Sequence, residues 1–148
     1  PIKGKFIPIR VKSIHNNSRE NVPELINEQY GCIALKFISK DTFNKKELKK
    51  GVIGFSDEKF KNSVVSTFNA NIKILHHSTT ISNNYQAVIH TGQVRQAAKL
   101  KILDNIDYLR TGDNAAVEFT FISHPEYVEK GNTIFFRDGN TKGFGTII

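Results

Sequence analysis

The stretch "VRQAAKLKIL", residues 94–103, decides the fold. Val94, Ala98, Leu100 and Ile102 fall on one side of an extended chain, and Arg95, Lys99 and Lys101 fall on the other. A period of two marks a half-buried strand, because successive side chains of a strand point to opposite faces. The same period recurs around it. "TFNANIKIL" (67–75) puts Phe68, Ala70, Ile72 and Ile74 on one face, and "AAVEFTFIS" (115–123) turns Val117, Phe119 and Phe121 inward. "YQAVIH" (85–90), "TIFFR" (133–137) and "KGFGTII" (142–148) read as further strands, with "LRTGDNA" (109–115) and "DGN" (138–140) as turns.

Upstream, "FIPIRVKSIH" (6–15) alternates Ile7, Ile9 and Val11 with Arg10 and Lys12. "GCIALKFI" (31–38) and "VIGF" (52–55) read as two more strands. "KDTFNKKELKKG" (40–51) is a polar loop with room for one helical turn, and "SDEKFKNS" (56–63) is a connector. No segment carries a long helical period. Many short strands with Gly, Asn and Asp turns predict an all-β protein, a barrel or a sandwich. The polar connector places a boundary between residues 1–66 and 67–148. The first part offers three or four strands, too few to close a barrel, so further strands are expected before Pro1.

Composition excludes some classes. Of 148 residues, 39% are hydrophobic and 24% charged, enough apolar content for a buried core. There is no run of eighteen apolar residues to span a membrane. The first residues lack a secretory leader's apolar centre, and methionine is absent, so a piece of a longer polypeptide is expected. Cys32 is the only cysteine, which rules out an intrachain disulfide and fits a reducing, cytoplasmic setting. The net charge is +7. Such a balance favours polyanions through counterion release, and it also fits a solvated lysine-rich surface.

Catalytic motifs are missing. There is no G-x-x-x-x-G-K-[ST] loop, no G-x-S-x-G elbow and no H-E-x-x-H. His76 and His77 are adjacent on a strand and so point apart; a three-histidine metal site would need His90 or His124 to fold onto one of them. Cys32, within "GCIALKF", reads as a buried thiol, and Asp104 and Asp107 read as a solvated turn. No group here demands an enzyme, and no metal or cofactor site is expected. What remains is Arg95, Lys99 and Lys101 on one strand face, spread over about 20 Å, a length that meets several phosphates of a duplex backbone.

Longer stretches carry a resemblance. "FNANIKILHHSTTISNNYQAVIHTGQVRQAAKL" (68–100), "LRTGDNAAVEFTF" (109–121) and "FFRDGNTKGFGTII" (135–148) resemble the third domain of translational GTPases, the family of elongation factor Tu and elongation factor 1-alpha. "IPIRVKSIHNN" (7–17) and "NEQYGCIALKFISK" (27–40) look like later strands of the second domain. The style of "VKSIH", "LRTGD" and "RDGNTKGFGTI" is that of the eukaryotic GTPBP subfamily. Four positions depart from the family pattern: Ser78 stands for Pro, Asn84 and Glu28 for Gly, and Asn140 for Arg.

The resemblance implies Greek-key β-barrels: a partial domain II-like barrel (1–66) and a complete domain III-like barrel (67–148). It implies that GTP and Mg belong to a G domain elsewhere in the parent protein, and that this segment packs on that domain and contacts tRNA or another RNA. By resemblance Arg137, Thr141, Lys142 and Gly143 lie in the stretch that approaches the tRNA backbone. Gln86, Arg95 and Lys99 join them from the strand-face pattern. Phosphate and 2′-hydroxyl contact is expected, with little base readout. The competing reading is a docking module for a protein partner, such as the ribosome or RNA-decay machinery. In the closing strand, Gly139 suits a turn with positive φ, while Gly143 and Gly145 permit close backbone approach.

Overall fold

A computed structural model describes residues 6–38 and 51–148. The polar loop expected to hold a helical turn falls almost wholly outside these residues. The chain divides into a small unit within residues 4–48 and a larger one within 49–148.

The small unit holds three antiparallel strands, β1 (Ile9–Asn16), β2 (Asn21–Val22) and β3 (Gly31–Phe37), in the order β2-β1-β3. Ile9 pairs with Phe37, Val11 with Leu35 and Ile14 with Ile33. Alternation forms the ladder, yet Ile9, Val11, Ile33 and Leu35 are exposed. Cys32 is exposed as well, which corrects the expectation of a buried thiol. The physical reason is that pairing alone hides no side chain. Burial needs a second layer, which strand pairing within this unit does not provide.

The larger unit begins differently from expectation. Residues 52–55 form no strand. Instead Phe55 stacks its ring near Phe60 (5.9 Å) and Tyr127 (6.4 Å), so this apolar run serves as a side-chain anchor. A 3-10 turn follows at Glu58–Ser63, capped by Asp57, whose carboxylate accepts from the Lys59 N–H at 2.9 Å. Then come β4 (Val64–Val65), β5 (Thr67–His76), β6 (Ile81–Ser82), β7 (Gln86–Thr91), β8 (Val94–Ile102), β9 (Tyr108–Leu109), β10 (Asn114–Phe121), β11 (Glu126–Tyr127), β12 (Thr133–Asp138) and β13 (Thr141–Ile147).

Six of these close into an antiparallel barrel in the order β10-β5-β13-β12-β7-β8, with β8 returning to β10. Strands β7, β8 and β10 are neighbours in sequence, and β12 comes back to lie beside β7. That order, fourth-first-second-third, is a Greek key. The inward faces are those that the alternation assigned: Phe68, Ala70, Ile72 and Ile74; Val94, Ala98, Leu100 and Ile102; Val117, Phe119 and Phe121 are all buried. Phe119 sits at the centre, 5.6 Å from Phe68 and 5.8 Å from Phe136, ring to ring.

Closure depends on the last hairpin. Gly139 takes φ +53° at the first central position of the turn, where a II′ hairpin uses glycine. Across the pair Phe136↔Gly143, a Cβ on Gly143 would fall 2.0 Å from the Phe136 ring. A Cβ on Gly145 would fall 2.2 Å from the Asn71 carbonyl oxygen. Both glycines therefore admit a neighbour that no side chain would.

The buried side chain of Gln96 is fully matched. Gln96 is 8% exposed, and its Oε1 accepts the N–H groups of Ser123 (2.8 Å) and His124 (2.9 Å). Its Nε2 donates to the His124 carbonyl (3.1 Å) and the Glu126 carboxylate (2.9 Å). Glu28 and Asn84, two of the positions where the resembling family carries glycine, both hold φ +69°. The left-handed backbone is kept without glycine, at lower strain for Asn than for Glu.

Two substitutions test this packing by urea unfolding of the barrel. Phe119→Ala should cost about 3–5 kcal/mol, the usual range for truncating a buried Phe. Gly143→Ala should also lower the unfolding midpoint, because the Phe136 ring must leave its place. An unchanged midpoint in Gly143→Ala would show that the ring does not sit on that backbone.

Candidate nucleic-acid interface

The barrel's register assembles the cations that the sequence scattered. On the outer face, Arg95 of β8 lies opposite His90 of β7, and His90 lies opposite Phe135 of β12. Phe135 lies opposite Phe144 of β13, which lies opposite Lys73 of β5. One step along, Ala97, Val88, Arg137, Lys142 and His76 form the next row. A third row pairs Lys99 with Gln86, and Lys101 stands opposite Glu118 of β10. Arg95, Lys99, Arg137, Lys142 and Gln86 are all exposed on this continuous surface.

Its charge is one-sided. Strands β7, β8, β12 and β13 carry a single carboxylate, Asp138. Arg137 and Lys142 face each other directly, and among the described residues neither they nor Arg95 and Lys99 form an ion pair. Like charges opposed across strands destabilise the sheet, so this arrangement is a local cost. At its centre, Phe135 is 58% and Phe144 38% exposed, an aromatic pair on the outside of a barrel.

Thr141 and Gly143 are placed otherwise. Both face inward, Gly143 under the Phe136 ring and Thr141 in a polar network that sequence reasoning missed. His77 Nδ1 lies 2.6 Å from the Thr141 hydroxyl, and Nε2 lies 3.1 Å from the Thr80 carbonyl oxygen. A carbonyl only accepts, so in the neutral ring Nε2 carries the hydrogen and Nδ1 accepts from Thr141. The His77 N–H donates to the Thr111 hydroxyl (2.9 Å), which donates back to the His77 carbonyl (3.1 Å). Tyr85 meets the His77 ring edge-on at 5.4 Å and donates its hydroxyl hydrogen to Asp138 at 3.2 Å. Burial foremost, with the Asp138 charge, pushes the Tyr85 pKa up, so the phenol stays protonated as a donor. His77 thus pins the start of β13, the strand that carries Lys142.

His76 points outward beside Lys142, away from His77, and His124 engages Glu126 (Nε2 to Oε1, 3.2 Å). Among the described residues, no three His, Cys, Asp or Glu side chains gather as metal ligands. A shallow groove of about 450 Å³ crosses β5, β10 and β13, lined by Asn71, Lys73, Asp104, Asn114, Phe144 and Thr146. Its one carboxylate, Asp104, is taken up by the Ala116 N–H at 2.8 Å. Charge recognition is what the surface can do chemically.

His90 is held neutral. Its pKa is lowered by burial first, then by the Arg137 and Arg95 guanidiniums. In the unfolded chain the ring takes up a proton near its ordinary 6.5, which the native ring refuses. Native stability should therefore fall as pH drops below that value, down to the lowered one. Replacing His90 with Gln should make the melting temperature decline less between about pH 7 and 5. An identical decline in both proteins would remove His90 as the source.

Comparison with known proteins follows from nearly the full chain. No family model matches it. It is 42% identical over 144 residues to GTP-binding protein 1 of Xenopus laevis, covering 97% of this chain and 21% of that protein. It is 38% identical over 144 residues to GTP-binding protein 2 of Mus musculus and of Homo sapiens, again covering 97% of this chain and 23% of each relative. The chain thus spans about a fifth of the length of the curated relatives it matches.

Proposed function

We propose, from its kinship with one segment of the GTP-binding proteins, that this chain is the RNA-contacting β-barrel region of a larger GTPase. GTP and Mg belong to another part of that polypeptide, and this region contributes binding rather than a catalytic group. The supporting observation is the exposed face on which Arg95, Lys99, Arg137 and Lys142 lie without carboxylate partners among the described residues. Unpaired cations one to three strands apart across the wall, and four residues apart along β8, suit the phosphates of a tRNA or similar duplex, where shape and backbone are read. Gln86, beside Lys99, adds a neutral donor for a 2′-hydroxyl. Because the Thr141 side chain turns inward and the Gly143 backbone lies under the Phe136 ring, their part is to fix the strand beneath Lys142.

The exposed Phe135–Phe144 pair favours a second contact on the same surface. Aromatic rings left bare on a barrel wall are suited to cover by protein. We assign that cover to the G domain of the same polypeptide, in a cytoplasmic setting. A neighbouring strip of cations then couples RNA contact to the placement of that domain. The rival occupant is a separate partner such as the ribosome.

Titrating the chain with tRNA at low and raised salt tests the reading. Affinity should fall steeply with salt, and each phosphate contact removed should flatten the slope by about one unit. Arg137→Ala with Lys142→Ala should weaken binding while the melting temperature holds or rises, since a like-charge pair is relieved. Arg95→Ala with Lys99→Ala should do the same. No tRNA binding at low salt would leave the surface to a protein partner.

A further inference from the structure

We propose that Arg95, His90 and Arg137 form a subsite for a single phosphodiester group on the barrel's outer wall. The inference rests on the RNA reading above and adds to it a ligand geometry and a proton.

Three observations converge. His90 stands on β7 between Arg95, its direct partner on β8, and β12, where Phe135 is its direct partner and Arg137 its diagonal neighbour. The two arginines start two strand spacings apart and two residues offset along the strands, about 12 Å, a gap that two extended guanidiniums can close over the imidazole. Both act on the ring electrostatically. Neither has a carboxylate partner among the described residues. Finally, His90 Nε2 is enclosed without a hydrogen-bond partner, the one buried side-chain polar atom in that state among the described residues. Buried polar atoms are normally satisfied, so an orphan between two cations without carboxylate partners calls for an explanation, which an anion at this place supplies.

A tetrahedral phosphate suits the place. Guanidiniums bind its oxygens through paired N–H groups. The groups facing His90 are Arg95 and Ala97 on β8, Phe135, Thr133 and Arg137 on β12, and Val88 on its own strand. Among these described neighbours only the two arginines are charged, and none is a carboxylate. An arriving phosphate offsets both guanidiniums at once. That removes the repulsion opposing a proton on the imidazole, and the imidazolium then adds a third positive charge beside the phosphate. Binding and protonation therefore assist each other, and the two effects must be equal by linkage.

The test is NMR titration of the His90 ring in the full 148-residue chain. It is run alone, with a short RNA duplex, and with sulfate as a tetrahedral anion that does not itself titrate near neutrality. RNA should move the His90 midpoint upward, and sulfate should do so more weakly. A rise of about one pH unit corresponds to about tenfold tighter RNA binding to the protonated form. His90→Gln should then lose the extra affinity gained at lower pH, while His76→Gln, next to Lys142, should keep it. If RNA binds but the His90 midpoint stays where it was, the subsite is overturned while the RNA reading stands. If RNA does not bind and sulfate still raises the midpoint, the RNA reading fails and the subsite survives as an anion site. A midpoint unmoved by both overturns the subsite.

Discussion

The bare backbone of Gly143 under the Phe136 ring is the contact on which the rest of the barrel depends. It lets the last strand approach β12 closely enough to fill the interior with an aromatic ring. It also fixes the pairing from Thr133↔Thr146 to Asp138↔Thr141. A one-residue slip would exchange inner and outer faces along the whole hairpin, burying Arg137 and Lys142 and exposing Phe136. The same strand pairs with β5 on its other side, so the interior contact also closes the sheet.

The proposed binding surface is a by-product of that closure. Arg95, His90, Gln86, Lys99, Arg137 and Lys142 come from two hairpins far apart in the sequence, at 86–99 and 137–142. They meet because β7 lies between β8 and β12, and β12 lies beside β13. Inside, aromatic and aliphatic groups fill space. Outside, opposed cations and an exposed aromatic pair are retained at some cost to the sheet. A local cost of this kind marks a place where binding, rather than stability, sets the residues. The His77 network stands between the two, tying the first residue of β13 to Thr80 and Thr111.

Much of this was legible in the sequence because a strand's face is a local property. Val94, Leu100 and Ile102 against Arg95, Lys99 and Lys101 can be sorted by counting in twos. Burial by a second layer is not local, which is why Cys32 reads as hidden and is exposed. The same limit applies to Val52–Phe55, whose apolar run finds ring partners instead of a ladder. Gln96 and His77 were invisible for a third reason. Most of their partners lie 27 to 64 residues away, and nothing in the sequence marks a glutamine or histidine as the filler of a polar gap. The candidate site was legible as a charge pattern, and partly as a resemblance. Thr141 and Gly143 lie in the stretch that the resemblance pointed to, on the inward face, because alternate residues of β13 must face inward.

The central claim is that the wall built by β7, β8, β12 and β13 is where RNA lies. Lysine acetylation footprinting with and without tRNA, read residue by residue in a mass spectrometer, tests it most directly. The account predicts that Lys99 and Lys142 lose reactivity when tRNA is added, while Lys59 on the 3-10 turn keeps its own. Protection spread evenly over all lysines, or confined to Lys59 and its neighbours, would contradict it.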